Sequence, residues 1–370
     1  MAKHLVLAGA GHAHITILSS LKDIARRGHL VTVIGPSDYH YYSGMGPGVL
    51  GGAYTPEEIR FPVRQMTESG GGVFLEDKVQ GVDPGDRTIL LESGKQVSYD
   101  VVSFNTGSQV PAQVVAEDAD RIFAVKPIEN LLQGRELIQS LARDGEVRVG
   151  VAGGGPGALE VAGNAWAAGR QNNGKGCMVR IYAGREFMRK APASVTKIAR
   201  RVFAQRGIEI IEGSYVDKIA TSQVTLQDGR SFKDDIIFLA LGVRPRPLFE
   251  PSHLPAGDDG GLLVNRFLQS PEFPEVFGGG DCIWFQDQPL DKVGVYAVRQ
   301  NPVLYHNVLA QMEGGELMPF DPGGSYLLIF NLGQGQGIFH KNGLVFNGGL
   351  AFRLKDYIDR RFIKKFKPQG

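Results

Sequence analysis

Two glycine turns carry most of the chemistry this sequence offers. Gly9 and Gly11 follow the apolar run His4-Leu5-Val6-Leu7-Ala8 and precede a segment able to form a helix. Gly9 permits a tight turn. Gly11 has no side chain, so the backbone can approach a pyrophosphate, and the helix start behind it offers unpaired N–H groups to that anion. His12 and Ala13 continue the turn, and His14 stands where a third glycine is usual, so helix and strand are expected to pack slightly further apart. The pattern returns after Val147-Arg148-Val149-Gly150-Val151-Ala152, where Gly153, Gly155 and Ala158 hold the G-x-G-x-x-[GA] positions. Any α/β protein could imitate one such turn; the repeat predicts two dinucleotide sites in one chain.

Three further stretches could touch a ligand. Val101 to Phe104 reads as a buried strand opening onto Asn105-Thr106-Gly107-Ser108, a candidate phosphate or ring contact. In Gly279-Gly280-Asp281 the carboxylate could hydrogen-bond a sugar-alcohol hydroxyl or, equally, cap a helix. Gly294 to Met312 reads as a helix kinked at Pro302, with its positive dipole end aimed at whatever precedes it. The acid that binds a ribose at the end of a second strand is missing twice. After His29–Ile34 the position holds Gly35, and the nearest carboxylate is Asp38. After Met178–Tyr182 it holds Ala183-Gly184, and Arg185 either faces a 2′-phosphate or is simply solvated.

The elements that must position these residues alternate strand and helix, the pattern of an α/β protein. Ile15 to Arg27 reads as one helix, and Leu159 to Gly169 as the helix of the second turn. Tyr39 to Gly52, dense in aromatics and glycines, reads as a loop draped over a flat cofactor. Short strands follow between 72 and 99, then a connector and helix over 111–144. Gln171 to Gly176 is a polar loop, and residues 208–240 are β-rich. A small sheet is expected over 325–332, 337–340 and 344–346, with Asn342-Gly343 as its hairpin turn. In the tail, Arg353 to Lys367, Leu354, Ile358, Phe362 and Phe366 recur every fourth residue among seven basic and two acidic side chains. Such a helix either docks on its own domain or lies on anionic lipid; the lipid reading is preferred.

Composition narrows the classes. A net charge of +1 excludes nucleic-acid binding by bulk electrostatics. The two cysteines, Cys177 and Cys282, form no C-x-x-C, so a reduced, cytoplasmic setting is expected and each thiol reads as a small buried hydrophobe. The chain enters a strand almost at once, which leaves no room for a secretion signal. No apolar run approaches the ~20 residues needed to span a bilayer. His12 and His14 form no ligand pattern with other His or Cys, so no metal site is expected.

The motifs together resemble one superfamily. GAGHAH at 9–14, YYSGMGPG at 41–48, NTG at 105–107, GGGPGALEVA at 153–162, LGVRP at 241–245, GGDC at 279–282, KVGVYAVRQNPVL at 292–304 and RLKDYIDRRF at 353–362 resemble the pyridine nucleotide-disulfide oxidoreductases. Within that superfamily the chain is similar to the type II NADH dehydrogenase and sulfide:quinone oxidoreductase branch, and closer still to the flavoprotein domain fused to some selenophosphate synthetases. The resemblance implies two Rossmann-like dinucleotide-binding domains, one for FAD and one for NAD(P), plus a small C-terminal sheet and amphipathic helix. The expected divisions are 1–112 (FAD, first part), 113–250 (NAD(P)), 251–316 (FAD, second part) and 317–370 (C-terminal sheet and membrane-facing helix).

The resemblance also implies roles. FAD would meet Gly9, Gly11, His12 and Ala13 through its pyrophosphate, Asp38 near a ribose, Val79 at the adenine, Thr106 and Gly107 at the NTG turn, and Asp281 at the ribitol. Gly294 and Val295 would face its pyrimidine edge. NAD(P)H would take Gly153, Gly155 and Pro156, with Arg185 the further candidate read from the motif itself. Glu160 would stand between nicotinamide and flavin, and Lys292 near the flavin and a quinone; these two are the catalytic candidates. The expected activity is electron transfer from NAD(P)H to a quinone by a peripheral protein on the cytoplasmic face of the inner membrane. Expected partners are a quinone, NAD(P)H, the membrane surface and a second copy of the chain. Two alternatives stay open: a sulfur or selenium donor to the same FAD, and a non-enzymatic flavin redox sensor. The sequence departs from the branch in its cysteines, which lack the pairing that sulfide oxidation uses.

Overall fold

Continuous apolar runs make strands that are buried on both faces, the mark of parallel sheets covered by helices. The computed structural model describes residues 1–116, 120–171, 176–220 and 222–367. Of the polar loop at 171–176, residues 172–175 lie outside the described residues, as do 117–119 of the connector. Two five-stranded parallel sheets dominate. The first runs in the order Val276–Gly278, Val101–Phe104, His4–Ala8, Leu30–Gly35, Val73–Glu76. Its edge strand comes from far along the chain, so this unit is built from two separate stretches of sequence. The second runs Ile122–Ala124, Ile236–Leu239, Val147–Ala152, Cys177–Tyr182, Glu209–Ile211.

Each sheet carries the same appendage. Strands Val79–Asp83, Thr88–Leu91 and Gln96–Ser98 form an antiparallel meander beside the first, and Val216–Ala220, Gln223–Leu226 and Ser231–Lys233 form one beside the second. Both meanders bulge in their first strand, between Val79 and Gly81 and between Val216 and Lys218. A bulge bends its strand and increases the local twist. Topology and irregularity both repeat, so the two halves share one plan.

Several local expectations are corrected. The helix read over 15–27 begins as a 3-10 turn, His12–His14, and splits into Ile15–Ser19 and Leu21–Arg26. Ser19 donates its hydroxyl back to the Ile15 carbonyl at 3.0 Å, which competes with the helix ladder at the break. The aromatic-glycine stretch read as a draped loop is a strand, Tyr39–Tyr41, then a short helical segment ending at Leu50. Leu50 is fully buried in the second half's core, so this stretch ties the halves together. The helix Gly294–Glu313 forms as read, with Pro302 inside it.

The C-terminal sheet, Leu328–Asn331, Gly337–Lys341 and Leu344–Gly348, packs Phe330, Leu332 and Ile338 into the second core. The helix Gly349–Phe366 places Ile363 and Phe366 in the first core. Burying each of those side chains stabilises the docking by roughly 2 kcal/mol. The buried stripe is Ala351, Lys355, Asp359, Ile363 and Phe366, which shares only Phe366 with the apolar row counted from the sequence. Ile358 of that row is exposed.

Candidate functional site

Three glycine turns from distant parts of the first half meet around Asn105. Gly9 has φ +94°, and a Cβ there would lie 2.3 Å from the Asn105 carbonyl. A Cβ on Gly11 would lie 2.8 Å from the Asn105 side chain, and one on Gly280 2.7 Å from its Oδ1. Gly9 therefore excludes any side chain, and at Gly11 and Gly280 a side chain would have to displace Asn105. Ala13 is fully buried and packs beside Gly279. Gln300, on the helix Gly294–Glu313, accepts the Gly280 N–H at 2.7 Å and locks the late turn onto that helix.

His14 fills the place of the missing glycine with hydrogen bonds. Its Nδ1 is 2.7 Å from the Gly9 carbonyl and its Nε2 2.8 Å from Ser103 Oγ. Burial holds this imidazole neutral, with its pKa down at about 4. His12 pairs instead with His40, Nδ1 to Nε2 at 3.1 Å, and burial together with the Lys126 charge takes its pKa to about 4 as well. Around them lie Tyr42, Phe61 and Phe362, with His12 and Tyr42 rings 5.0 Å apart and Tyr42 and Phe362 stacked at 5.0 Å.

The late aspartate is not alone. Lys126 Nζ is 2.7 Å from Asp281 Oδ2, and the Ser108 hydroxyl donates to the same oxygen at 2.8 Å. Burial alone would raise this carboxyl, but Lys126, Ser108 and the more distant Lys292 hold it below the usual carboxylate range. Sequence reasoning missed Lys126, which sits in the connector. Lys292 shares a small cavity with Asp281, Tyr296 and Gln300, yet its ammonium is taken by Asp259 at 2.8 Å and by the Ile283 carbonyl. The cation that touches Asp281 is therefore Lys126. Gly294 and Val295 open the helix beside that cavity. Val79 begins the first meander. Asp38 is tied to Arg64 at 2.5 Å, and Arg64 also holds Glu76 at 2.6 Å.

The second turn is more open. Gly153 has φ +137°, with a Cβ excluded by the Ala240 carbonyl at 2.1 Å. At Gly155 a Cβ would meet nothing within 4 Å, and Pro156 behind it is exposed. Arg185 is exposed on the neighbouring loop.

Glu160, one turn into the helix Pro156–Ala168, meets the C-terminal module. Its Oε1 accepts the Asn331 N–H at 2.7 Å. Burial pushes its carboxyl up to about 7, against the pull of Lys355 and that N–H. Lys355 itself is buried, with Nζ 2.7 Å from both Asp359 Oδ2 and the Gly44 carbonyl. The Tyr42 hydroxyl donates to Asp359 Oδ1 at 3.2 Å. Thus Glu160, Lys355, Asp359 and Tyr42 form one cluster from three parts of the chain, with Lys355 and Asp359 buried and Glu160 and Tyr42 half-buried. From the sequence, Lys355 and Asp359 looked like members of a solvated tail face. Both thiols are buried. Among the described residues no group of His, Cys, Asp or Glu could hold a metal ion.

A family model for pyridine nucleotide-disulphide oxidoreductases matches residues 3–313. The chain belongs to that family. It is 23% identical to ferroptosis suppressor protein 1 of Taeniopygia guttata, over 99% of this chain and 95% of that one. Its fold is similar to the sulfide:quinone oxidoreductase of Aquifex aeolicus, with a TM-score of 0.79, 17% identity, and 99% and 92% of the two chains covered. It is also similar to NDH2 of Plasmodium falciparum in complex with NADH, with a TM-score of 0.77, 13% identity, and 100% and 99% covered. This pyridine nucleotide-disulphide oxidoreductase is an α/β flavoprotein enzyme using FAD and NAD(P)H. The first turn fits FAD on its own terms. Among the described residues, Asn105 Nδ2, Thr106 Oγ1 and His12 Nε2 are buried without hydrogen-bond partners. Buried polar atoms are rarely left so, and a polar dinucleotide on those glycines would satisfy them.

Proposed function

We propose that this oxidoreductase passes electrons from NAD(P)H to a quinone at a membrane surface. One observation carries the quinone: the cluster of Glu160, Lys355, Asp359 and Tyr42 adjoins the aromatic wall of His12, Phe61 and Phe362. Reducing a quinone takes NAD(P)H and one further proton and yields NAD(P)⁺ and quinol. Bound FAD supplies the redox chemistry. The protein must hold and deliver the proton. Glu160, with its carboxyl near 7, is about half protonated at neutral pH and suits that task. Lys355, paired with Asp359, favours the return of Glu160 to its charged form after the proton leaves. An aromatic wall suits a flat, apolar ring. The quinone named for the Aquifex relative supports the same reading.

The membrane part rests on the outer face of the C-terminal helix. Leu350, Tyr357 and Ile358 are exposed there, among exposed Arg353, Arg361, Lys364 and Lys365. Among the described residues no helix is long and apolar enough to cross a membrane. A basic strip with apolar side chains would hold the protein on anionic lipid, at the cytoplasmic face of the inner membrane. A sulfur or selenium donor acting through a protein thiolate is disfavoured: burial raises both thiols, Cys177 to about 12.

The test is anaerobic. NADH or NADPH should bleach the flavin band, and a soluble quinone should restore it. Turnover should fall as pH rises through about 7, where Glu160 loses its proton. Glu160→Gln should lower quinone turnover on the order of 100-fold and remove that break. Bleaching by sulfide, with both nucleotides silent, would reject the proposal.

A further inference from the structure

Resting on the reading that a nicotinamide nucleotide is the donor, we propose that the second site is built for NADPH. Arg185, Arg189 and Lys190 gather the 2′-phosphate, and Tyr215 lies under the adenine.

The strand Cys177–Tyr182 ends where a ribose-binding acid would stand, and the backbone has closed that position. Ala183 is buried, with its carbonyl 2.4 Å from where a Gly154 Cβ would be. Gly184 has φ +68°, and a Cβ there would lie 2.7 Å from the Tyr215 ring. No longer side chain fits at Gly184. The Tyr215 ring covers this glycine while remaining 54% exposed, an accessible flat surface at the rim of the site. Tyr215 also immediately precedes the bulged strand of the second meander. The corresponding residue in the first half is Lys78, next to Val79, which the family resemblance sets near an adenine.

The loop that follows is held rigidly against the fingerprint. The Met188 N–H donates to the Gly154 carbonyl at 2.6 Å, and the Gly213 N–H to the Gly184 carbonyl at 2.8 Å. Phe187 and Met188 are buried and anchor it. Arg185, Glu186, Arg189 and Lys190 are left exposed.

Charge decides which ligand this rim suits. The nearby acid Glu212 is spent: it accepts the Phe187 N–H at 2.6 Å and pairs with Arg200 at 2.6 Å. Elsewhere on this half Arg148 pairs with Asp235, Arg180 with Glu209 and Arg230 with Asp228, while Arg135, Arg170, Arg201 and Arg206 donate to carbonyl or amide oxygens. Among the described residues, Arg185, Arg189 and Lys190 make no ion pair. Glu186 is the one carboxylate exposed among them. A loop exposing three unpaired cations and one acid offers little to ribose hydroxyls. They match a phosphate monoester, which carries close to two negative charges and accepts forked hydrogen bonds from guanidinium.

The experiment uses the FAD-loaded protein. Its KM for NADPH should be at least tenfold below that for NADH. 2′,5′-ADP should bind, measured by calorimetry, while 5′-AMP binds at least tenfold more weakly. The triple variant Arg185→Ala, Arg189→Ala, Lys190→Ala should lose 2′,5′-ADP binding and bring the two KM values together, with its flavin spectrum and melting temperature confirming a folded holoprotein. Tyr215→Ala should raise KM for both nucleotides by a similar factor. Equal or better use of NADH by the unaltered protein overturns the proposal, and so does 2′,5′-ADP binding that survives the triple variant. If neither nucleotide bleaches the flavin, the donor reading fails. The 2′,5′-ADP measurement then still decides the phosphate site: loss of binding in the triple variant supports it, and no binding to the unaltered protein overturns it.

Discussion

The two halves of the molecule share a frame and differ in what they do at its ligand end. Both have five parallel strands, a glycine turn after the central strand, and an antiparallel meander bulged at its start. In the first half, however, the turn is enclosed. Asn105, Gly280 and the helix Gly294–Glu313 close over it, two histidines brace it, and Lys126 reaches in from the second half's side to hold Asp281. In the second half, Gly155 faces open space and the cations around Arg185 stand in solvent. One plan thus serves two residence times. A cofactor that stays is held by later parts of the chain folding back over it. A donor that must leave after each turnover meets a turn that is closed at Gly153 but open at Gly155.

The sharpest way to break this contrast is to add one methyl group to each turn. Gly9→Ala places a Cβ 2.3 Å from a backbone carbonyl at φ +94°, a conformation and a contact that alanine cannot keep. The purified protein should be colourless and should not take up added FAD. Gly155→Ala adds its methyl to open space at φ −97°. It should keep the flavin spectrum and melting temperature and raise KM for the nicotinamide nucleotide severalfold. If both variants retain FAD equally, the claim that Gly9 is enclosed where Gly155 is open is wrong.

A smaller effect separates the halves by charge. Lys126→Met leaves the Asp281 carboxylate, only 14% exposed, without its cation. Removing one partner of such a pair costs about 3 kcal/mol, read as a lower melting temperature and a weaker hold on FAD. The double variant Lys126→Met, Asp281→Asn should recover part of the loss. The pH dependence has a definite sign. The folded carboxyl titrates below its ordinary value, so its contribution is present above the usual carboxylate range and is lost as pH falls toward the folded value. Lys126→Met should flatten that acid limb.

What could be read from the sequence follows the same division. Local patterns were legible: both glycine turns, the buried strands, the helix Gly294–Glu313 and the late aspartate each leave a signature within a few residues. The groups that complete the site lie far apart in sequence and carry none. Lys126 sits in a connector without periodicity, and only the fold brings it to Asp281. In the tail, counting apolar residues picked the row Leu354, Ile358, Phe362 and Phe366. Of that row the fold buries Phe366, together with Ala351, Lys355, Asp359 and Ile363, because Glu160, Tyr42 and the Gly44 carbonyl wait there to satisfy a lysine and an aspartate. A polar stripe that finds its partners only on docking looks like a solvated face in one dimension. The Tyr39–Gly52 stretch failed for a related reason: its glycines serve close packing against Tyr54, Asn164 and Ile128, contacts that composition does not reveal.

The histidines give the mildest test of the contrast. His14 is buried and neutral, with its pKa at about 4 against the ordinary 6.5. The unfolded chain binds a proton at that site at a higher pH than the folded one does. Stability therefore falls as pH drops from 6.5 toward 4, by about 2 kcal/mol between pH 7 and pH 5 for this one imidazole. No histidine occupies the second turn, so acid should loosen the first half ahead of the second. Held at pH 5, the protein should release FAD while the far-ultraviolet circular dichroism keeps most of its amplitude. His14→Asn keeps a polar side chain at the brace but cannot take the proton, and it should shift FAD release to lower pH even if it weakens binding at pH 7. Release that coincides with complete unfolding in both proteins would mean that the two halves do not differ in how acid opens them.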